Sequence, residues 1–348
     1  MSKRMLITGG CGFIGSHVIE YFLKNTDYEI LIFDKLTYAA SGFDRMKEIG
    51  ADKNDRVSIF TVDFTKEISD GIKKEVGEVN YILHLGAETH VDRSITNPSL
   101  FVSTNCNGTM HMLEYARCLK EKYDDKFEMF LYFSTDEVMG SAPKGVYYKE
   151  TDTSRPENPY AAAKAAGENI AMAYACTYRI PLKITRTMNV FSKYQHQEKF
   201  IPGTIKKILL GEENVIHATP DLKSAGTRFY ISAQNVAIAI KFVIDSDEFH
   251  TKENRHSGIF NIVGEREIDN LTLAKTLYEL IKKRIPNVPD FKYVMTDHHS
   301  QRPGHDLRYA LDGSKLKNMG FEYPLNLEQS LDETVEWYLN NKTWLGLD

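Results

Sequence analysis

Three residues in the run FSTDEVMG, Thr135, Asp136 and Glu137, place a hydroxyl beside two neighbouring carboxyls. Downstream, Tyr160 and Lys164 stand four residues apart. On a helix, such a pair shares one face. An ammonium next to a phenol stabilises the phenolate and lowers its pKa from ~10. Tyr160 would then serve as a base for an alcohol proton. Pro159 suits the first turn of the helix that carries the pair. Two adjacent carboxyls repel each other's charge, so one can stay protonated while the other ionises. They can therefore supply both an acid and a base. Taken alone, the carboxyl pair could be a solvated turn and the Tyr–Lys spacing an accident.

A second constellation lies at the start. Gly9, Gly12 and Gly15 have GxxGxxG spacing, between the apolar run Met5–Thr8 and a helical pattern from Phe13 and Ile14 onward. Glycines let the backbone approach a pyrophosphate, and the helix N-terminus offers free N–H groups. Asp34 ends the second apolar run, 19 residues beyond Gly15. A carboxylate there accepts from the adenosine ribose and repels a 2′-phosphate, which favours NAD over NADP. Lys35, directly after it, pulls the other way. Asp63, at the end of the third run, could reach the adenine.

These residues need a frame. Strands are expected at Met5–Thr8, Glu29–Asp34, Val57–Asp63, Tyr81–Leu85, Phe130–Ser134 and Leu182–Thr185. Helical patterns at Phe13–Lys24, Glu67–Val76, Leu100–Lys120 and Tyr160–Tyr178 alternate with them. Alternation of this kind predicts an α/β fold, a Rossmann-type doubly wound parallel sheet. After Thr187 the pattern turns irregular, with a further strand at Ile259–Val263 and helices near Leu271–Arg284 and Leu327–Asn340. The chain divides into a dinucleotide-binding domain over 1–188 and a smaller mixed α/β substrate-binding part over 189–348, some of which can return to the first domain. Strands ending at Ser134 and Asp34 would put all the chemistry along the carboxyl edge of one sheet, where such folds bind ligands.

Composition narrows the field. The 348 residues carry 43 Lys+Arg against 48 Asp+Glu, a net charge of −5. That balance argues against nucleic acid as a partner. The four cysteines, Cys11, Cys106, Cys118 and Cys176, form no ligand-like spacing, so no metal site is expected. They suit a reducing compartment. No apolar run reaches the ~20 residues a membrane span needs. With no signal peptide at its start, the chain is expected to be cytoplasmic.

TGGCGFIG, the strand end at Asp34, HLGAETHVD and the Tyr160–Lys164 pair resemble the extended short-chain dehydrogenase/reductases. Within that family, the TDE run followed by YxxxK resembles the nucleotide-sugar 4,6-dehydratases. HVDRSITNP, TNCNGT, EKFIP, FNIVG and RPGHDLRYALD extend the likeness over nearly the whole chain. The added carboxyls fit a dehydration. Oxidising C4 of a hexose acidifies the C5 proton; a base removes it and an acid protonates the leaving C6 hydroxyl. The resemblance implies that Thr135 holds the sugar, Asp136 is the acid, Glu137 the base at C5 and Tyr160 the base at the 4-hydroxyl. It implies cofactor contacts at Gly9, Gly12, Phe13, Ile14, Gly15, Asp34, Lys35, Asp63, Phe64, Leu85, Gly86, Ala87, Thr104, Tyr160 and Lys164. It places the nucleotide sugar, of the dTDP-glucose or UDP-glucose class, against Thr89, Thr135, Asn189, Lys199, Arg228, Asn261, Arg302 and His305. It also implies a homodimer through the helices near 100–120 and 160–178. Other readings are an NAD-recycling 4-epimerase or decarboxylase of the same fold and, from another class, a non-catalytic dinucleotide sensor. The family's Tyr-Gly after the carboxyls is replaced here by Met139-Gly140, and its Asn-Asn-Tyr-Gly-Pro by Asn189-Val190-Phe191-Ser192-Lys193.

Overall fold

Residues 2–36, 43–123, 126–297 and 308–347 are described by a computed structural model. Its twelve strands are β1 (Arg4–Thr8), β2 (Glu29–Asp34), β3 (Val57–Thr61), β4 (Tyr81–His84), β5 (Met129–Thr135), β6 (Leu182–Thr187), β7 (Asn189–Phe191), β8 (Glu213–Ala218), β9 (Thr227–Ser232), β10 (Ile259–Ile262), β11 (Glu267–Asp269) and β12 (Lys292–Asp297). Seven of them form one parallel sheet in the order β10-β6-β5-β4-β1-β2-β3. β4 and β5 are buried along their whole length, as expected of strands covered on both faces. The order reverses between β1 and β4. A crevice opens at the carboxyl ends of the strands there, and the loops after β1, β4 and β5 all meet at it. The architecture is the doubly wound Rossmann type.

Two layers cover the sheet. On one face, the helix Phe13–Asn25 packs Val18, Ile19 and Phe22 against Val236, Ile240 and Val243 of the helix Ala233–Asp245. On the other, Met112, Leu113 and Leu119 of the helix Gly108–Tyr123 share a core with Ala171 and Ala175 of the helix Pro159–Tyr178. Lys183 on β6 is fully buried and donates to the carbonyls of Val243 (2.7 Å) and Ile244 (3.2 Å). It sets a cation where the helix leaves its last carbonyls unpaired.

The helix expected over Leu100–Lys120 is interrupted. A turn of π-helix at Ser103–Asn107 separates Pro98–Val102 from Gly108–Tyr123. Such bulges favour functional sites, and this one turns Thr104 towards the crevice. Asn105 exchanges hydrogen bonds with the backbone of Glu88: Nδ2 donates to the Glu88 carbonyl and Oδ1 accepts its N–H.

The later half of the chain contributes to both regions. β10 joins the main sheet beside β6, whereas β7, β9 and β11 form a small sheet of their own and β8 pairs with β12. The helices Phe200–Leu210, Asn270–Arg284 and Leu327–Asn340 enclose a further core around Ile205, Leu277 and Val335. Among the described residues, no helix is long and apolar enough to cross a membrane, and no group of His, Cys, Asp and Glu is arranged to hold a metal ion.

Candidate active site

β1 delivers the glycine loop. Gly9 has φ +68°, and a Cβ on it would lie 2.7 Å from the Gly86 Cα. A Cβ on Gly15 would fall 2.4 Å from the Gly9 carbonyl oxygen. Both positions therefore require glycine, and the backbone here can approach a ligand closely. The helix begins at Phe13 without a side-chain cap, and its first residues, Phe13, Ile14 and Gly15, line the crevice.

Asp34, at the end of β2, is buried, and burial raises its carboxyl pKa. Its Oδ2 accepts the Cys11 N–H at 3.0 Å and its Oδ1 the Leu36 N–H at 2.8 Å. One carboxylate thus fixes the glycine loop while remaining in the crevice wall. Lys35 donates to Thr104 at 3.2 Å, and Phe64 packs beneath Gly86. A dinucleotide fits this set: a cradle only glycines allow, a free helix start and a ribose acceptor.

His84 holds the floor. It is buried, hydrogen-bonded to Thr8 at 2.7 Å and Thr109 at 3.2 Å, and burial lowers its pKa to about 3. It is a neutral bracket between β1, β4 and the helix Gly108–Tyr123.

β5 delivers the expected acid and base residues. Thr135 ends the strand and caps the turn Asp136–Met139, accepting the Glu137 N–H at 3.4 Å and donating to Asp136 Oδ1 at 3.0 Å. Among the described residues, Asp136 Oδ2 is buried without a hydrogen-bond partner. Burial first and the Glu137 charge second push the Asp136 pKa up to about 7. Glu137 Oε2 accepts from Asn158 Nδ2 at 3.0 Å, and Asn158 Oδ1 accepts the Ala161 N–H at 2.8 Å. The residue that starts the helix Pro159–Tyr178 therefore also orients the second carboxylate.

Tyr160 and Lys164 lie on one face of that helix and both line the crevice. The expectation that Lys164 lowers the Tyr160 pKa is not met in this arrangement. Burial raises Tyr160 well above the ordinary phenol value, Glu137 and Asp136 add to this, and a hydrogen bond with Thr135 partly offsets it. The Lys164 ammonium instead donates to the Phe133 carbonyl at 2.7 Å and lies 4.2 Å from the Tyr132 ring centroid. Burial lowers its pKa to about 7, opposed by the Glu168 charge one turn on. Glu168 is itself paired with buried Arg186 at 2.8 Å.

The crevice encloses about 340 Å³. It gathers Gly9, Gly12, Phe13, Ile14, Gly15, Asp34, Lys35, Phe64, Leu85, Gly86, Ala87, Thr89 and Thr104 with Thr135, Asp136, Glu137, Tyr160, Lys164, Asn189 and Lys199. Five expected residues are not among them. Asp63 is exposed and its Oδ1 accepts from the Thr65 N–H and hydroxyl, because β3 stops at Thr61. Asn261 is fully buried in β10, and its Nδ2 donates to the Tyr148 and Asp312 carbonyls, so it ties loops together rather than facing a ligand. Arg228 donates to the Thr227 carbonyl and stacks 4.9 Å from the Tyr309 ring centroid, although its charge reaches Asp136. Arg302 and His305 lie outside the described residues. Arg45, Glu88, Gln195 and His196 line the crevice without having been expected there. Glu88 sat in view within HLGAETHVD; the other three carry no motif.

Against this geometry, a family model described as GDP-mannose 4,6 dehydratase matches residues 6–334. A dTDP-glucose 4,6-dehydratase from Escherichia coli is 32% identical over 355 residues, covering 98% of this chain and 94% of that protein. A dTDP-glucose 4,6-dehydratase from Streptomyces venezuelae, solved with NAD bound, superposes with a TM-score of 0.82 at 32% identity, covering 98% of both chains. The Bacillus anthracis enzyme of the same name, in complex with NAD, gives 0.79 at 30% identity over 99% of both.

Proposed function

Because the chain belongs to the family described as GDP-mannose 4,6 dehydratase, we propose that it is an NAD-dependent hydro-lyase that converts a nucleotide-hexose, dTDP-glucose, to its 4-keto-6-deoxy form. The observation that carries this reading is Asp136. It is a buried carboxyl held protonated up to about pH 7, beside Glu137 and on the same crevice wall as Tyr160. The choice of dTDP over UDP rests on the relatives' names and is the finer part of the proposal.

The glycine loop and Asp34 would hold NAD, which would supply a hydride acceptor for C4, a hydride donor for C6 and a positively charged ring. Tyr160 takes the proton of the 4-hydroxyl, with Thr135 hydrogen-bonded to it. Its raised pKa means that added positive charge must help before it can do so. Glu137, oriented by Asn158, removes the C5 proton that the C4 ketone has acidified. Asp136 gives its proton to the C6 hydroxyl, which leaves as water. The two carboxyls thus hold one proton between them, in opposite roles. Lys199 lines the crevice as a cation for the diphosphate. A panel of dTDP-, UDP-, GDP- and CDP-hexoses tests the substrate: the dTDP sugar should have the highest kcat/KM, and preference for another base would overturn that part.

Asp136 sets the pH dependence. Its deprotonation removes the acid, so kcat/KM should fall as pH rises past about 7. A profile flat to high pH would contradict the role. Stability follows the same sign. The folded pKa exceeds the unfolded value of ~3.9, so the native state binds more protons in between. This contribution is present at acid pH and is lost as pH rises towards 7.

For Asp34→Ala, loss of an ionised acceptor should weaken NAD by ~1.5–3 kcal/mol. Equilibrium dialysis measures this, and an unchanged dissociation constant would remove Asp34 from the cofactor site. A homodimer is part of the same proposal. Ile95, Leu100 and Val102 are exposed apolar residues around the helix Pro98–Val102. Light scattering should give twice the 39.8 kDa chain mass; the single-chain mass would refute it.

A further inference from the structure

We propose that Arg45 is a positioning residue that locks the glycine loop, the turn at Tyr194 and the C-terminal Trp344 into one unit, so that NAD affinity depends on the C-terminal segment. The proposal rests on the cofactor reading above. Arg45 is buried, yet it lines the crevice beside Asp34. Its Nε donates to the Tyr194 carbonyl at 2.9 Å, and its Nη1 reaches the Cys11 carbonyl at 3.5 Å. Its guanidinium carbon lies 5.6 Å from the Trp344 ring centroid. A planar fork with five donors can hold carbonyls from two segments at once and still stack on an aromatic face.

Each of the three segments matters to the crevice. Cys11 belongs to the glycine loop, and Asp34 accepts its N–H. Tyr194 has φ +66°, in the left-handed region that a bulky residue seldom adopts. Strain of this kind persists only where its surroundings over-determine it, and it gathers at functional sites. Here the Tyr194 ring is packed by Trp337 and Trp344, with centroids at 4.9 and 5.5 Å. Arg45 holds its carbonyl, and the Tyr338 hydroxyl donates to the next carbonyl, Gln195, at 2.8 Å. The turn so formed brings Gln195 and His196 to the crevice wall. Trp344 sits in the last turn, Lys342–Leu345, and covers the guanidinium from outside. The cation thus joins the cofactor cradle to the opposite wall, and the C-terminus clamps the cation.

The chain has two tryptophans, and both belong to this cluster. In a Trp337→Phe background Trp344 is the sole tryptophan, so its emission reads the clamp directly. The experiment combines that emission with equilibrium dialysis of NAD on charcoal-treated full-length protein. Trp344 emission should shift on adding NAD and saturate at the concentration dialysis gives. Arg45→Met should weaken NAD about tenfold or more, the scale of a lost hydrogen bond to a charged group. Arg45→Lys should recover part of this, since it keeps the charge but not the fork. Trp344→Leu and a chain ending at Asn341 should raise the KM for NAD and change kcat little. Equal NAD affinity in wild type and Arg45→Met overturns the proposal, as does Trp344 emission indifferent to saturating NAD. If Arg45→Met does not fold, unchanged affinity in both Trp344→Leu and the shortened chain overturns it. Failure of the wild type itself to bind NAD would instead defeat the cofactor reading.

Discussion

Tyr160→Phe should lower turnover by ~10²–10⁴, the usual worth of a positioned general base, while NAD binding stays intact. The substitution removes one oxygen from a buried ring that Phe101 already packs edge-on, with centroids 6.3 Å apart. The helix and the crevice wall should therefore survive it. No cofactor reduction should be seen on mixing with substrate, because the 4-hydroxyl keeps its proton. The pH dependence adds a check. Burial and two carboxylates hold the phenol pKa high, so the step Tyr160 performs should be favoured by raising pH, whereas Asp136 favours lowering it. Near-normal turnover in the variant would end the assignment.

Glu137→Gln should stop the reaction one step later, with a loss of similar size, ~10²–10⁴. Gln keeps the shape and can still bond Asn158 through its amide oxygen. It cannot take the C5 proton. Oxidation at C4 relies on Tyr160 and Thr135, which remain, so reduced cofactor should accumulate in a single-turnover absorbance trace. Deuterium from solvent should no longer enter C5. Removing the Glu137 charge also removes the second cause of the raised Asp136 pKa, leaving burial alone to hold it up. The variant should therefore titrate at lower pH than the wild type. In Asp136→Asn, by contrast, oxidation and C5 exchange should continue while loss of water from C6 slows. If Glu137→Gln exchanges C5 at the wild-type rate, Glu137 is not the base.

The parts of this site that could be read from the sequence are those set by local chain geometry. A glycine loop between a strand and a helix, a carboxylate at a strand end and a proline-started helix with YxxxK are each local, and the parallel sheet brings their ends to one edge. What could not be read depends on residues far apart in the chain. The spacing put Tyr160 and Lys164 on one face, but the Phe133 carbonyl at the end of β5 decides where the ammonium points. Asn261 looked like a ligand contact within FNIVG until β10 took its place in the main sheet and buried it. Asp63 was misplaced because β3 ends two residues sooner than its apolar run. Arg45 stands in no motif. Its partners lie at Cys11, Tyr194 and Trp344, and only the folded chain brings them together.

The central claim is that C4 oxidation leads to loss of water and not to inversion at C4. The direct test is to incubate the protein with dTDP-glucose in deuterated water and weigh the product sugar. The product should be a sugar lighter by one water, carrying one deuterium at C5 and a C6 methyl group, with no net reduction of added NAD. A product of unchanged mass with inverted C4 and no deuterium would contradict it.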